Sequence, residues 1–483
     1  MSIKTRVELL KRRRTKIVAT LGPASADPAI MATLVKAGVN VFRLNMSHGD
    51  HDFHRTAFQH IQTIREQHDE PVAVLADLCG PKIRCGRFKD GAVLLEAKQP
   101  VTVTTRDVIG NNRLIPSQYT ALADDVQPGD RILLDDGNIE LRVEQVEDTE
   151  ISCTVVHGGK LKDHKGINLP GVNISAPSLT DKDKTDALFA LELGVDFLAL
   201  SFVRRAADIE ALRQLINSKN SKAAIVAKIE KPEALVAASE ILDCTDAIMV
   251  ARGDLGVELN PEEVPVAQSQ LIELARRKFK PVIVATQMLE SMIDHARPTR
   301  AEVTDIAHAV TQGTDAVMLS AETASGSFPA EAVMIMDRIA RQTEAILWDS
   351  GAYATGLKSL VRPPIPVWDA VADAVNSMAH NLGARAVMVI SNSGMSATTV
   401  ASTRPGAPVI AMTGDPDTHR RMALLWGVIP ILSEKVGSAN PNQLAREVAK
   451  QLGLVNTGEY VLLVRGFHSD SEMNTPTISA LLV

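Results

Sequence analysis

Aromatic side chains are scarce in this 483-residue sequence, at 3%, and positive charge is not in surplus, the formal net charge being −7. Both shortages argue against a nucleic-acid surface, which needs stacking rings and a broad basic field. Cysteine is rarer still. Cys79, Cys85, Cys153 and Cys244 form no C-x-x-C pair and have no histidine at zinc-finger spacing, so no thiolate metal site is expected. There is no run of 18 apolar residues and no apolar segment behind the basic N-terminal residues. Neither membrane insertion nor secretion is therefore indicated, and the cytoplasm is the expected compartment. The one basic cluster, Lys11 to Arg14, reads as the end of a solvated N-terminal arm spanning 1–14.

What is present is ordinary globular composition, 45% hydrophobic and 23% charged, in a chain long enough for roughly three domains of about 150 residues. Short runs rich in Val and Ile recur: KIVATLG, VNVFRLNMSHG, PVAVLADL, VDFLALSF, AAIVAKIE, DAIMVARGD, PVIVATQ and TDAVMLSAE. Amphipathic stretches such as Asp27 to Ala37, Ala206 to Asn217, Val264 to Lys278 and Thr299 to Thr311 lie between them, so the pattern is strand then helix. Gly38, Gly194 and Gly313 close helices and lead into strands, a position suited to left-handed backbone. Eight such units, with no G-x-G-x-x-G after the first strand, predict a (β/α)₈ TIM barrel over 15–85 and 181–350.

The barrel pattern breaks once. From 86 to 180 the text becomes short alternating segments with turn signals, as in QPGDRILLDDGNIELRVEQV, which predicts an all-β insertion on the active-site side, able to act as a lid. A proline-rich break, RPPIPVW at Arg362 to Trp368, precedes renewed alternation with strands in ARAVMVIS, PVIAMT, VIPIL and YVLLVRG. The region 351–483 reads as a separate α/β domain.

Chemistry belongs at the C-terminal ends of barrel strands. Residues i and i+2 of a strand share a face, and the pairs here are polar: Arg43 and Asn45, followed by Ser47; Lys228 and Glu230; Arg252 and Asp254; Ser320 and Glu322. Asp77 and Thr286 end two further strands. Charges converging on one rim imply a charged ligand, and cations mixed with carboxylates suggest anions held with a hard metal. Glu230 and Asp254 can supply two oxygens to Mg²⁺, and the glycines of GDLG let backbone N–H groups approach an anion.

At these residues the sequence resembles a known family. TKIVATLGPAS, FRLNMSHG, GPKIRCG, AKIE, MVARGDLGVEL, ATQMLESM, RPTRAEVTDIAHAV and DAVMLSAETASG are similar, in order and across nearly the whole chain, to the pyruvate kinases. The resemblance implies a catalytic (β/α)₈ barrel (A domain), an inserted small β-barrel as a mobile lid (B domain) and a C-terminal α/β regulatory domain (C domain), usually assembled as a homotetramer. It implies phosphoryl transfer from phosphoenolpyruvate to ADP with Mg²⁺, Mn²⁺ being a possible substitute, followed by protonation of the enolate. Lys228 then matches the lysine that stabilises the transferring group, Glu230 and Asp254 the metal ligands, and Arg43 the phosphate-binding arginine. Gly253, Asp254 and Thr286 match the carboxylate cradle. Thr286, Ser320 and Glu322 are candidates for positioning a water relay, none of them singled out as proton donor.

Asn45, His48, Arg84 and the lid residue Lys165 would lie toward the nucleotide. Glu70 stands where animal-type members have an arginine for the nucleotide. Many members bind K⁺ with residues matching Asn45, Ser47, Asp77 and the backbone of Leu78, and carry Glu where this chain has Lys82. A lysine there can replace the bound cation, as in the bacterial potassium-independent subgroup, so K⁺ is not expected to be required.

The C-terminal loop ISNSGMS offers Ser391, Asn392, Ser393, Gly394 and Ser396 at a helix start, with Thr398 and Thr399 following, and matches the family's sugar-phosphate effector site. Arg385, Arg404 and Arg465 are candidates to add charge, whereas Met395 stands where many activated members have a basic residue. Two other classes stay open at this point. One is a Mg²⁺-dependent aldolase or lyase on 2-oxo acids, which would not need the lid lysine. The other is a silent sugar-phosphate sensor, which would be expected to have lost Lys228 or a metal ligand.

Overall fold

The computed structural model describes residues 13–68, 70–354, 365–468, 470 and 472–483. Eight parallel strands close into a barrel: β1 (Lys16–Thr20), β2 (Val41–Asn45), β3 (Ala73–Asp77), β4 (Phe197–Leu200), β5 (Ala224–Ile229), β6 (Ala247–Ala251), β7 (Val282–Ala285) and β8 (Ala316–Leu319). β1 pairs with both β8 and β2, which completes the ring. Nearly every strand residue is buried because helices cover one face and the bore the other, as the continuous apolar runs require.

Local chemistry sets the helix ends. Asp27 caps the helix Pro28–Ala37 by accepting from Ala29 N at 2.8 Å, with proline at the first helical position. Thr299 and Glu302 form a capping box on Arg300–Thr311. Gly38, Gly194 and Gly313 have φ of 118°, 85° and 82°, so the helix-ending role read from the sequence holds at all three.

After β3 the chain leaves the barrel, and it returns at the helix Asp181–Leu193. The excursion curls a six-stranded sheet and a two-stranded ribbon around a separate core that includes Cys85, Ile115, Leu141 and Val155. Cys85 thus packs in the lid, not at a barrel strand end, and burial pushes its thiol pKa up.

The C-terminal part is a five-stranded sheet in the order β11–β10–β9–β12–β13, made of β9 (Val387–Ile390), β10 (Val409–Thr413), β11 (Val428–Leu432), β12 (Tyr460–Arg465) and the antiparallel edge strand β13 (Thr477–Leu482). The last strand was not expected from the sequence. Part of the proline-rich break, 362–364, lies outside the described residues.

Several contacts bind this domain to the barrel, among them an apolar one and a buried carboxylate. Ala423 and Leu424 pack into the barrel interior with Val18, Leu75 and Met249. Asp196, at the foot of β4, accepts from Arg420 Nε at 2.7 Å, Arg65 Nη2 at 2.7 Å and Val74 N at 2.8 Å.

The basic cluster departs from the solvated arm expected of it. The Arg13 side chain is 5% exposed and pairs with Asp337 at 2.9 Å. Arg14 is buried with its guanidinium 5.5 Å from the centres of the Trp348 and Trp426 rings, while Glu344 accepts from Arg14 N and Thr15 N. Ring faces and a buried carboxylate compensate for the lost hydration, which sequence pattern does not reveal. Lys11 and Arg12 lie outside the described residues. Among the described residues no helix is long and apolar enough to cross a membrane.

Candidate active site

Lys228 is the centre of the rim. It lies one residue before the end of β5, and its ammonium is 2.7 Å from Ser201 Oγ, 2.9 Å from Glu230 Oε1 and 3.2 Å from Asp77 Oδ1. Arg43, on β2, donates from Nε to Asp77 Oδ2 at 2.7 Å and from Nη1 to Thr20 Oγ1 at 3.0 Å. One carboxylate from β3 therefore anchors two cations from different strands.

Burial opposes the charge on Lys228, but Asp77 and Glu230 outweigh it and hold the ammonium above the usual lysine range. Burial likewise opposes ionisation of Asp77, yet Lys228 and Arg43 hold its carboxyl below the usual range. Glu230 shifts upward: burial raises it most, Lys228 opposes, and the neighbouring Asp254 charge adds to the rise. The attraction felt by Lys228 would by itself lower Glu230, so the two partners point in opposite directions. Charge count resolves this, because Asp77, Glu230 and Asp254 outnumber Lys228 and Arg43. Glu230 and Asp254 lie near enough to repel each other, a charge that a divalent cation would neutralise, while among the described residues no group of three or more metal-ligating side chains gathers.

Gly253 and Thr286, two of the residues expected to cradle a carboxylate, are brought into contact. β6 ends at Ala251, and Asp254 sits in the first turn of the helix Arg252–Glu258. Gly253 N donates to Thr286 Oγ1 at 2.7 Å, and the Thr286 hydroxyl donates to Ala285 O at 2.6 Å. A Cβ at Gly253 would stand 3.4 Å from Thr286 Oγ1, at the near edge of ordinary contact. Thr286 has φ of 70°, a left-handed conformation costly for a β-branched residue, and such strain concentrates at functional sites.

Two expectations from strand alternation fail, both because the strand stops short. Arg252 does not share a face with Asp254 but braces the outside, bonded to Asp305 at 2.7 Å and to Thr286 O at 2.8 Å. Glu322 is not aimed at the mouth. β8 ends at Leu319, and Glu322, 3% exposed, accepts from Ser320 N at 2.6 Å and Leu289 N at 3.1 Å. Burial raises its carboxyl pKa. Ser320 itself stays half-buried beside the rim.

Asn45 lies opposite Asp77 in the β2–β3 register and accepts from Ser47 N at 3.2 Å. Leu78 O accepts from Ser201 Oγ at 2.6 Å. Lys82 is exposed, and its ammonium has no ion pair among the described residues. Burial, then the charges of Lys82, Arg84 and Arg43, lower the His48 pKa, so four of the expected site residues feel one another. Arg84 bridges to Gly166 and donates to His164 O at 3.1 Å, where the two legs of the lid meet. Lys165 pairs with Asp135 of the lid at 2.7 Å, which raises its pKa.

The cleft between lid and mouth is lined by Lys82, Asp136, Arg204, Lys231 and Asp254. Sequence reasoning missed Ser201, Lys231 and Glu258; Lys231 pairs with buried Glu258 at 2.6 Å, and the lid residue Asn168 reaches the same oxygen at 3.5 Å. A polar residue ending the buried run VDFLAL was the available signal for Ser201.

In the C-terminal domain, Gly394 has φ of 90° and opens the helix Met395–Ser402 directly after β9. Ser391 Oγ is buried with no hydrogen-bond partner among the described residues, Ser393 and Asn392 are exposed, and Ser396 is buried. Thr418 Oγ1 donates to Asn392 O at 3.0 Å. Arg404 turns away from this loop to Asp315 at 2.9 Å and Gly313 O at 2.6 Å, so it adds no charge there. Arg385 pairs with Glu459 at 3.6 Å, and Arg465 is exposed.

The chain is similar over most of its length to known proteins. Residues 12–333 match the family model for the pyruvate kinase barrel domain, and 369–479 match that for the pyruvate kinase alpha/beta domain. The chain is 44% identical over 460 residues to pyruvate kinase 2 of Synechocystis, covering 94% of this chain and 76% of the relative. It is 41% identical over 457 residues to the pyruvate kinase of Mycobacterium tuberculosis, covering 94% and 95%. A crystal structure of a pyruvate kinase from Cryptosporidium parvum superposes with a TM-score of 0.91 at 34% identity, covering 98% of this chain and 97% of that one. With both domains matched and the relatives covered over most of their length, the chain belongs to the pyruvate kinase family.

Proposed function

We propose that this protein transfers the phosphoryl group of phosphoenolpyruvate to ADP, giving ATP and an enolate that is protonated to pyruvate. The observation that carries the reading is the buried Lys228 ammonium, held beside Arg43 and Asp254 at the barrel mouth beneath a lid with its own lysine. Arg43 binds the substrate phosphate, and Lys228 neutralises oxygens whose charge redistributes as the group passes. The Gly253 N–H and the Thr286 hydroxyl, now bonded to each other, are the donors that the substrate carboxylate takes over. Mg²⁺, or Mn²⁺ in its place, would be held by Glu230 and Asp254 and supplies charge neutralisation at the phosphoryl and enolate oxygens.

Thr286 and Ser320 face the water that protonates the enolate, and Glu322 acts on them only by fixing the Ser320 and Leu289 amides. Asn45, His48 and Arg84 serve the nucleotide, and Lys165 exchanges Asp135 for nucleotide phosphate as the lid closes. Lys82 supplies a fixed positive charge near Asn45, Ser47, Asp77 and Leu78, which makes the enzyme independent of K⁺ like the bacterial subgroup it resembles. A sugar phosphate at Ser391 to Ser396 regulates the enzyme, which works as a homotetramer.

A coupled assay of pyruvate formation tests these points together. Turnover with Mg²⁺, its loss on chelation, and equal rates in K⁺ and in tetramethylammonium are expected. No pyruvate from phosphoenolpyruvate and ADP would overturn the function. Full loss in tetramethylammonium would overturn the role of Lys82, and a rate indifferent to every sugar phosphate tried would overturn the regulation.

A further inference from the structure

We infer that Ser201 is a positioning residue for Lys228, setting the direction of its ammonium for phosphoryl transfer; this rests on the function proposed above. Of the three groups around that ammonium, the carboxylates of Glu230 and Asp77 carry charge, yet the shortest contact, and the one aligned as a hydrogen bond, is to the neutral Ser201 hydroxyl at 2.7 Å. Asp77 Oδ1, 3.2 Å from the ammonium, has no partner in hydrogen-bond geometry among the described residues. Charge alone does not orient the ammonium. The two carboxylates attract it almost without regard to angle, whereas a hydrogen bond fixes one N–H direction and so the other two.

The hydroxyl is locked in the acceptor sense. A serine has one proton to give, and Ser201 gives it to Leu78 O at 2.6 Å, which leaves lone pairs toward Lys228. Leu78 is fixed in turn by its N–H to Ala199 O at 3.0 Å, across the β3–β4 seam. Ser201 is 1% exposed, so water does not compete for the hydroxyl. Without this bond the ammonium would settle between Glu230 and Asp77, away from the cleft. Binding of substrate by Arg43 and the Thr286 cradle would persist, because neither touches Ser201.

The test compares Ser201→Ala, Ser201→Thr and the wild type in steady-state assays, with thermal melts alongside. A hydrogen bond to a charged group is worth enough that the alanine variant should lose about 10- to 100-fold in kcat. Its KM for phosphoenolpyruvate should stay within about threefold, since the bond acts on the transition state and not on substrate binding. Threonine retains the hydroxyl and should restore kcat to within about threefold of wild type. If alanine prevents folding, Ser201→Cys, similar in shape but a weak acceptor, replaces it with the same expected loss. A folded alanine or cysteine variant with wild-type kcat would overturn the inference, as would a loss carried by KM, or threonine as impaired as alanine. A wild-type protein that makes no pyruvate would instead overturn the functional reading itself.

Discussion

Replacing Asp196 by asparagine should uncouple the C-terminal domain from the barrel at one atom group. The carboxylate is 1% exposed and meets two guanidinium groups, Arg65 and Arg420, each at 2.7 Å, and the Val74 amide at 2.8 Å. At that distance each ion pair is worth about 6 kcal/mol gross for an effective dielectric near 20. Desolvation takes back much of this, and breaking a buried pair from one side costs about 3–5 kcal/mol net. Asparagine keeps an acceptor for Val74 but leaves Arg65, whose side chain is 10% exposed, facing an amide of no net charge. Alanine should cost about 1–3 kcal/mol more by also orphaning the Val74 N–H. Arg420 is 22% exposed and keeps Asp417 as a second partner, so Arg420→Gln should cost less than Asp196→Asn. Urea unfolding followed by Trp426 fluorescence reads the change, because that ring is buried where the C-terminal domain meets the barrel. An Asp196→Asn variant within about 1 kcal/mol of wild type would refute the view that this carboxylate is a structural tie.

Lys228→Met should lower kcat about 10²- to 10³-fold, read in the coupled assay. It should also lower the melting temperature, since Asp77 and Glu230 lose the cation between them. Lys165→Met should leave stability within about 1 kcal/mol, its ion pair being exposed, while raising KM for ADP about tenfold. The His48 imidazole, lowered by burial and then by Lys82, should titrate below an ordinary histidine in an NMR pH series, so it is neutral at pH 7. Lys82→Met should move that midpoint up; no movement would place the Lys82 charge elsewhere.

The barrel was legible because its strands are buried on both faces and its helices end at glycines, two features written in single residues such as Gly38 and Gly194. Lys228, Glu230, Asp77 and Arg43 were legible as polar residues ending apolar runs. Alternation misled at Arg252 and Glu322, where a helical turn begins at once and rotates each side chain away from the face a strand would give it. Burial of Arg14 depends on Trp348, Trp426 and Glu344, and that of Arg13 on Asp337, all more than 300 positions away, which local pattern cannot encode. β13 escaped notice because TISALL is an edge strand with little contrast between its faces. Ser201 needed a partner to be meaningful, and that partner comes from another strand.

The placement of Leu424 has a consequence for how this molecule can be divided. A barrel of this kind ordinarily stoppers its own lower end, but here the stopper belongs to the domain that carries the proposed effector loop. Cutting the chain after the last barrel helix would therefore open an apolar bore to water, so the catalytic half is not an independent module. Any movement of the C-terminal domain is a movement of the catalytic chamber's own floor. The effector loop proposed above thus belongs to a domain whose side chains form part of the barrel's own packing.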